Sequence, residues 1–112
     1  MTPVASYQET LDHIANERAV LLYCSFPSCG VCKSIQPKVI SLAEKHFPEL
    51  KLYYVDIDAI PEARGQLSVF NVPAVLVYFD GREMVREARN FGIDELGGKI
   101  DRYYGMMFGE EA

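Results

Sequence analysis

The chain has 112 residues, 49% of them hydrophobic, and a formal net charge of −5. That length and hydrophobic share exclude a disordered chain and predict one domain, residues 1–112, with its own core. The negative charge and the lack of a Lys/Arg cluster exclude a nucleic-acid binder, and no apolar run approaches the roughly 20 residues of a membrane span. Three cysteines are an odd number and a poor disulfide framework, which points to a reducing compartment where a pair cycles. The opening Met-Thr-Pro-Val-Ala-Ser lacks the basic start and apolar core of a secretory signal, so the expected location is the cytoplasm.

Along the chain, a short opening strand is expected at Val4. Ser6-Tyr7-Gln8-Glu9 has the form of a capping box, and Leu11, Ile14 and Ala15 follow at helical spacing, predicting a helix over about residues 6–17. Ala19 to Phe26 is an apolar, β-prone run that reads as a buried strand. A helix then extends to about residue 47, with Ile35, Val39, Leu42, Ala43 and Phe47 on one face and Pro37 expected to kink its second turn. Lys51 to Ile57 reads as a strand, and Asp58 with Pro61 opens a short helix expected to reach about Phe70.

After Asn71-Val72-Pro73, Ala74 to Phe79 is a third apolar strand. Asp80-Gly81 is a hairpin signal, and Arg82 to Ala88 returns antiparallel as a charged edge. Gly92 leads into a last helix with Ile93, Leu96, Ile100 and Tyr103 on one face, although Gly97-Gly98 weakens it. Met106-Met107-Phe108 is expected to pack that helix down. Helices alternating with strands, closed by a hairpin and a helix, predict a three-layer α/β/α sandwich around a mixed sheet.

Cys29-Gly30-Val31-Cys32 sits where strand pattern gives way to helix pattern. The first sulfur then lies at a helix N-terminus, where unpaired N–H groups and the helix dipole favour a thiolate. The second lies about one turn further in, close enough to close a disulfide. This spacing gives Cys29 as nucleophile and Cys32 as resolving thiol. A structural bridge or a metal half-site are the other readings of the pair. For a structural zinc site, Cys24, His13 and His46 are the only further soft donors, so no metal is expected. Cys24, inside a strand, reads as a buried and inert thiol. Tyr53, Tyr54, Tyr78 and Phe79 read as core and sheet residues.

In this element order the chain resembles the thioredoxin family over nearly its whole length. The resemblance rests on Cys29-Gly30-Val31-Cys32 as a redox dithiol, Pro37 five residues beyond it, and Val72-Pro73 before a strand. It implies a thioredoxin-like protein-disulfide reductase serving cell redox homeostasis. Disulfide-containing proteins would be its substrates, a separate thioredoxin-type reductase its electron donor, and no bound cofactor would be needed. Pro73 would be cis, facing the dithiol, with Val72 holding its backbone open to a substrate strand. Ser28 stands where the family usually has Trp, Val31 where it has Pro, and Tyr23 where it has a buried Asp. The family's Lys near that Asp falls at Tyr54. These departures bear on rate and potential, and they leave two other readings: a thioredoxin-fold binding or regulatory module with little reductase activity, and a CxxC metal-binding protein.

Overall fold

The computed structural model describes residues 1–109, and Glu110-Glu111-Ala112 lie outside the described residues. The element order is β1 (Thr2–Pro3), α1 (Tyr7–Asn16), β2 (Ala19–Ser25), α2 (Gly30–His46), β3 (Lys51–Asp56), α3 (Pro61–Gln66), β4 (Ala74–Phe79), β5 (Arg82–Ala88) and α4 (Ile93–Phe108). The five strands form one sheet in the order β1-β3-β2-β4-β5. β1, β3 and β2 run parallel, whereas β4 is antiparallel to β2 and β5 antiparallel to β4.

Alternation along β2 divides the core. Leu21 and Tyr23 pack with Val39 and Ala43 of α2 and Leu96 and Ile100 of α4. Val20, Leu22 and Cys24 pack on the opposite face with Ile14 of α1 and Ala63 of α3. Side chains two apart on a strand share a face, so a strand covered by helices on both sides reads as a continuous apolar run. All seven residues of β2 are buried. The three-layer α/β/α arrangement follows.

Local chemistry sets the element ends. Ser6 caps α1 by accepting the Glu9 amide at 3.0 Å, while the Glu9 carboxylate reaches the Ala5 amide at 2.9 Å, one residue before its place in an ordinary capping box. The opening strand is Thr2–Pro3 rather than Val4. Val4 only extends the pairing, its amide donating to the Tyr54 carbonyl at 3.0 Å. α3 stops at Gln66 instead of Phe70, because Ser68 takes a left-handed backbone (φ 54°) that no helix continues through. Asp80 and Gly81 both have positive φ, 51° and 81°, as a two-residue hairpin turn demands. α2 runs unbroken through Pro37, whose missing N–H leaves the Lys33 carbonyl without its intrahelical donor.

α4 continues through Gly97-Gly98, and Gly97 has a packing reason. A Cβ there would stand 3.1 Å from Leu42 Cδ1, so the bare backbone lets α4 settle against α2. Met107 and Phe108 pack against the α2–α4 side of the core, whereas Met106 is exposed.

Candidate active site

Cys29 is the N-cap of α2, and its Sγ accepts a hydrogen bond from the Cys32 amide at 3.2 Å. It is joined to Cys32 by a disulfide, with the two Cα atoms 5.3 Å apart. The strand-to-helix junction thus aims an otherwise unpaired helix N–H at the first sulfur. α2 is 17 residues long, and its dipole adds to that local field. The two sulfurs differ in access: Cys29 is half-buried, whereas Cys32 is 1% exposed. Around them, Ser28 and Gly30 are exposed and Val31 is 62% exposed.

Tyr23 lies buried in β2, and its hydroxyl donates to the main-chain carbonyl of Cys32 at 2.5 Å. Burial pushes its phenol up to about 12, and the neighbouring Tyr54 adds to the shift. At neutral pH the group is therefore a protonated donor and not a base. Tyr54 is its register partner on β3, with ring centroids 6.4 Å apart. Among the described residues the fully buried polar side chains besides tyrosine are Thr10 and Ser25. Among the described residues no carboxylate is buried with Tyr23.

Val72 and Pro73 precede β4, whose first residue, Ala74, pairs with Cys24 near the end of β2. The loop that carries Ser28 and Cys29 leaves that same end of the sheet after Ser25. The Val72–Pro73 peptide is cis. Pro73 is buried and Val72 half-buried, both on the shoulder of the sheet end from which the dithiol loop departs.

Two residues here have no motif in the sequence. The Arg89 amide donates to the Pro73 carbonyl at 2.8 Å, which brings the end of β5 against the proline. Phe70, two residues before Val72, is 74% exposed. An aromatic residue just before Val72-Pro73 was the available signal for Phe70. Nothing local signals Arg89.

Cys24 faces the α1–α3 side of the sheet, the side opposite Tyr23, and is fully buried. Burial pushes its thiol up to about 12, so it stays protonated and inert at neutral pH. His13 is held between Glu9 and Glu17, and His46 is exposed at the end of α2. Among the described residues no three His, Cys, Asp or Glu side chains are grouped to hold a metal ion. Nor is any helix among them long and apolar enough to cross a membrane.

A dithiol capping a long helix beside a five-stranded mixed sheet defines a class of redox-active α/β proteins, and comparison with known proteins agrees. The thioredoxin family model matches residues 2–100. The chain is 34% identical over 110 residues to the thioredoxin-like protein YdfQ of Bacillus subtilis, covering 98% of this chain and 97% of that one. It is 34% identical over 86 residues to a thioredoxin of Chlamydia trachomatis, covering 77% of this chain and 82% of that one. Among solved structures, Plasmodium falciparum thioredoxin superposes with a TM-score of 0.82 over 92% of this chain and 99% of that one. At 21% identity, that likeness speaks for the fold alone. The chain belongs to the thioredoxin family. At the level of the family this carries thiol–disulfide oxidoreductase chemistry, with disulfide-bearing proteins as substrates and reductases as partners.

Proposed function

We propose that the chain acts as a single domain that reduces protein disulfides through Cys29 and Cys32. The observation that carries this reading is the Cys32 amide aimed at Cys29 Sγ at the head of α2, which favours negative charge on that sulfur. In the reduced protein the Cys29 thiolate attacks one sulfur of a substrate disulfide. A Cys29–substrate bond forms, and the substrate S–S bond breaks, releasing one substrate thiolate. Cys32 loses its proton to water and attacks Cys29 Sγ. The mixed disulfide breaks, the second substrate thiolate leaves, and Cys29–Cys32 closes. Two electrons pass from the dithiol to the substrate, and a separate thioredoxin-type reductase restores them. Val72, before the buried Pro73, offers its backbone to an extended substrate segment. The odd cysteine count and the inert Cys24 suit a reducing compartment, and the reading places the protein in the cytoplasm.

Insulin reduction with dithiothreitol tests the proposal: the wild-type chain accelerates precipitation, and Cys29→Ser abolishes the effect. A folded wild-type chain without activity would favour the second reading, a thioredoxin-fold binding module. The observation on that side is Tyr23, a donor where a base would speed the resolving step.

A further inference from the structure

The dithiol loop is exposed at Ser28, Gly30 and Val31, so substrate choice falls to the exposed residues around it. Pro73 is flanked by two of them. Phe70 stands on the loop before it, 74% exposed, an area of apolar surface that the fold leaves uncovered. Arg89 is held to the proline by the 2.8 Å bond from its amide to the Pro73 carbonyl.

Arg89 is exposed and makes no ion pair among the described residues, unlike Arg64 with Asp58 and Arg86 with Glu83. Its φ is 63°, in the left-handed region that strains an L side chain and leaves glycine unstrained. Ser68 and Asp80 share that conformation, but Asp80 makes a hairpin turn and Ser68 ends a helix. Arg89 alone combines the strained backbone with an unpaired charge beside the proline, and strain of this kind gathers where a residue is needed for function.

We infer that Arg89 and Phe70 select the substrate of the dithiol: an extended segment with a carboxylate side chain and an apolar residue beside its disulfide cysteine. The inference rests on the reading that the dithiol reduces protein disulfides. Charge supplies the commitment to a carboxylate. The net charge of −5 is spread over the chain, and charges farther than about 8 Å are screened at physiological salt. Locally, Arg89 and the exposed Lys33, next to Cys32, are cations. Of the acids at this end, Asp58 is paired with Arg64, and Asp56 accepts the amides of Asp58 and Ala59. Glu87, two residues before Arg89, is paired with Lys99, which leaves Glu62 in the first turn of α3 and Asp94 in the first turn of α4.

The test uses two disulfide-linked peptides of equal length, one with Glu and Leu beside the cysteine and one with Lys and Leu. Rates of oxidation of the reduced protein are read at low and high salt, with hydroxyethyl disulfide as an uncharged reference. The wild type prefers the acidic peptide about twofold to fivefold, as exposed ion pairs of 0.2–1 kcal/mol allow, and salt erases the preference. With each peptide rate divided by the same variant's rate with hydroxyethyl disulfide, Arg89→Glu reverses the preference and Phe70→Ser lowers the ratio for both peptides. Equal peptide rates in wild type, or a ratio that Arg89→Glu leaves unmoved, would overturn the inference while leaving the reductase intact. A wild type that oxidises with the small disulfide but with neither peptide also overturns it. Failure with all three disulfides removes the reductase reading itself.

Discussion

The Tyr23 hydroxyl donates its hydrogen to the carbonyl of Cys32, so a buried phenol in the central strand holds the first turn of the helix that carries the dithiol. Its proton points at the main chain, its oxygen does not ionise at neutral pH, and among the described residues no buried carboxylate stands with it. The resolving thiol is 1% exposed and resists losing its proton. The geometry therefore supports the position of Cys32 without supplying a base for it.

Two substitutions separate those roles. Tyr23→Phe removes the hydrogen bond and should cost about 0.5–1.5 kcal/mol in urea unfolding, with little change in the lifetime of the mixed disulfide. Tyr23→Asp buries a charge and should cost at least about 3 kcal/mol. In the folded variant the mixed disulfide should shorten in lifetime, toward the roughly 100-fold that a positioned base supplies. Unchanged kinetics in folded Tyr23→Asp would mean that proton removal from Cys32 does not limit turnover.

Thiol labelling should follow the order of access and charge. Iodoacetamide at neutral pH should modify Cys29 of the reduced protein well before Cys32, and Cys24 only after unfolding. Cys24 is fully buried, and its thiol is pushed up to about 12. Early labelling of Cys24, followed by peptide mass mapping, would contradict this placement.

A second cluster makes stability depend on pH. His13 lies 2.6 Å from Glu17 and 3.1 Å from Glu9, one carboxylate at each ring nitrogen, and stacks on Tyr53 at 3.9 Å. The Tyr53 hydroxyl donates to the same Glu17. Only the imidazolium donates from both nitrogens. Burial works against that charge, but the hydrogen bonds His13 donates to Glu9 and Glu17 outweigh it and raise His13 above its ordinary 6.5. The contribution is complete below 6.5 and is lost as pH rises through the folded value. Glu9, lowered from 4.5 by the Ala5 amide and then by His13, loses its contribution as pH falls below 4.5. Urea midpoints of wild type should fall as pH rises above 6.5 more steeply than those of His13→Gln, and parallel curves would contradict the cluster's role.

The paired glycines of α4 should respond differently to alanine. Nothing lies within 4 Å of a Cβ at Gly98, so Gly98→Ala should stabilise by about 0.5–1 kcal/mol through helix propensity. At Gly97 the new methyl meets Leu42 Cδ1 at 3.1 Å, so Gly97→Ala should gain less or lose stability. Thermal unfolding of both variants decides the matter.

Features written in local sequence could be read directly. The continuous apolar run of Ala19–Ser25 is the strand covered on both faces, and Asp80-Gly81 is the turn with two positive φ values. The dithiol's place followed from the change of period around Cys29. What escaped depended on distant partners. Gly97-Gly98 counts against α4 in the sequence because the Leu42 contact that uses Gly97 comes from another helix. α3 looked longer because the left-handed Ser68 carries no glycine to mark it. Arg89 entered the site through one amide bonded to Pro73, sixteen positions earlier in the chain, and no periodicity records such a bond.

The most direct test of the account is a trapping experiment read by intact mass. Cys32→Ser, reduced and mixed with a disulfide-linked peptide, should gain one peptide mass, and proteolytic mapping should place it on Cys29. Wild type should show that adduct only transiently, and Cys29→Ser should not form it. A lasting adduct on Cys32 in Cys29→Ser, with none in Cys32→Ser, would reverse the two sulfurs and contradict the account.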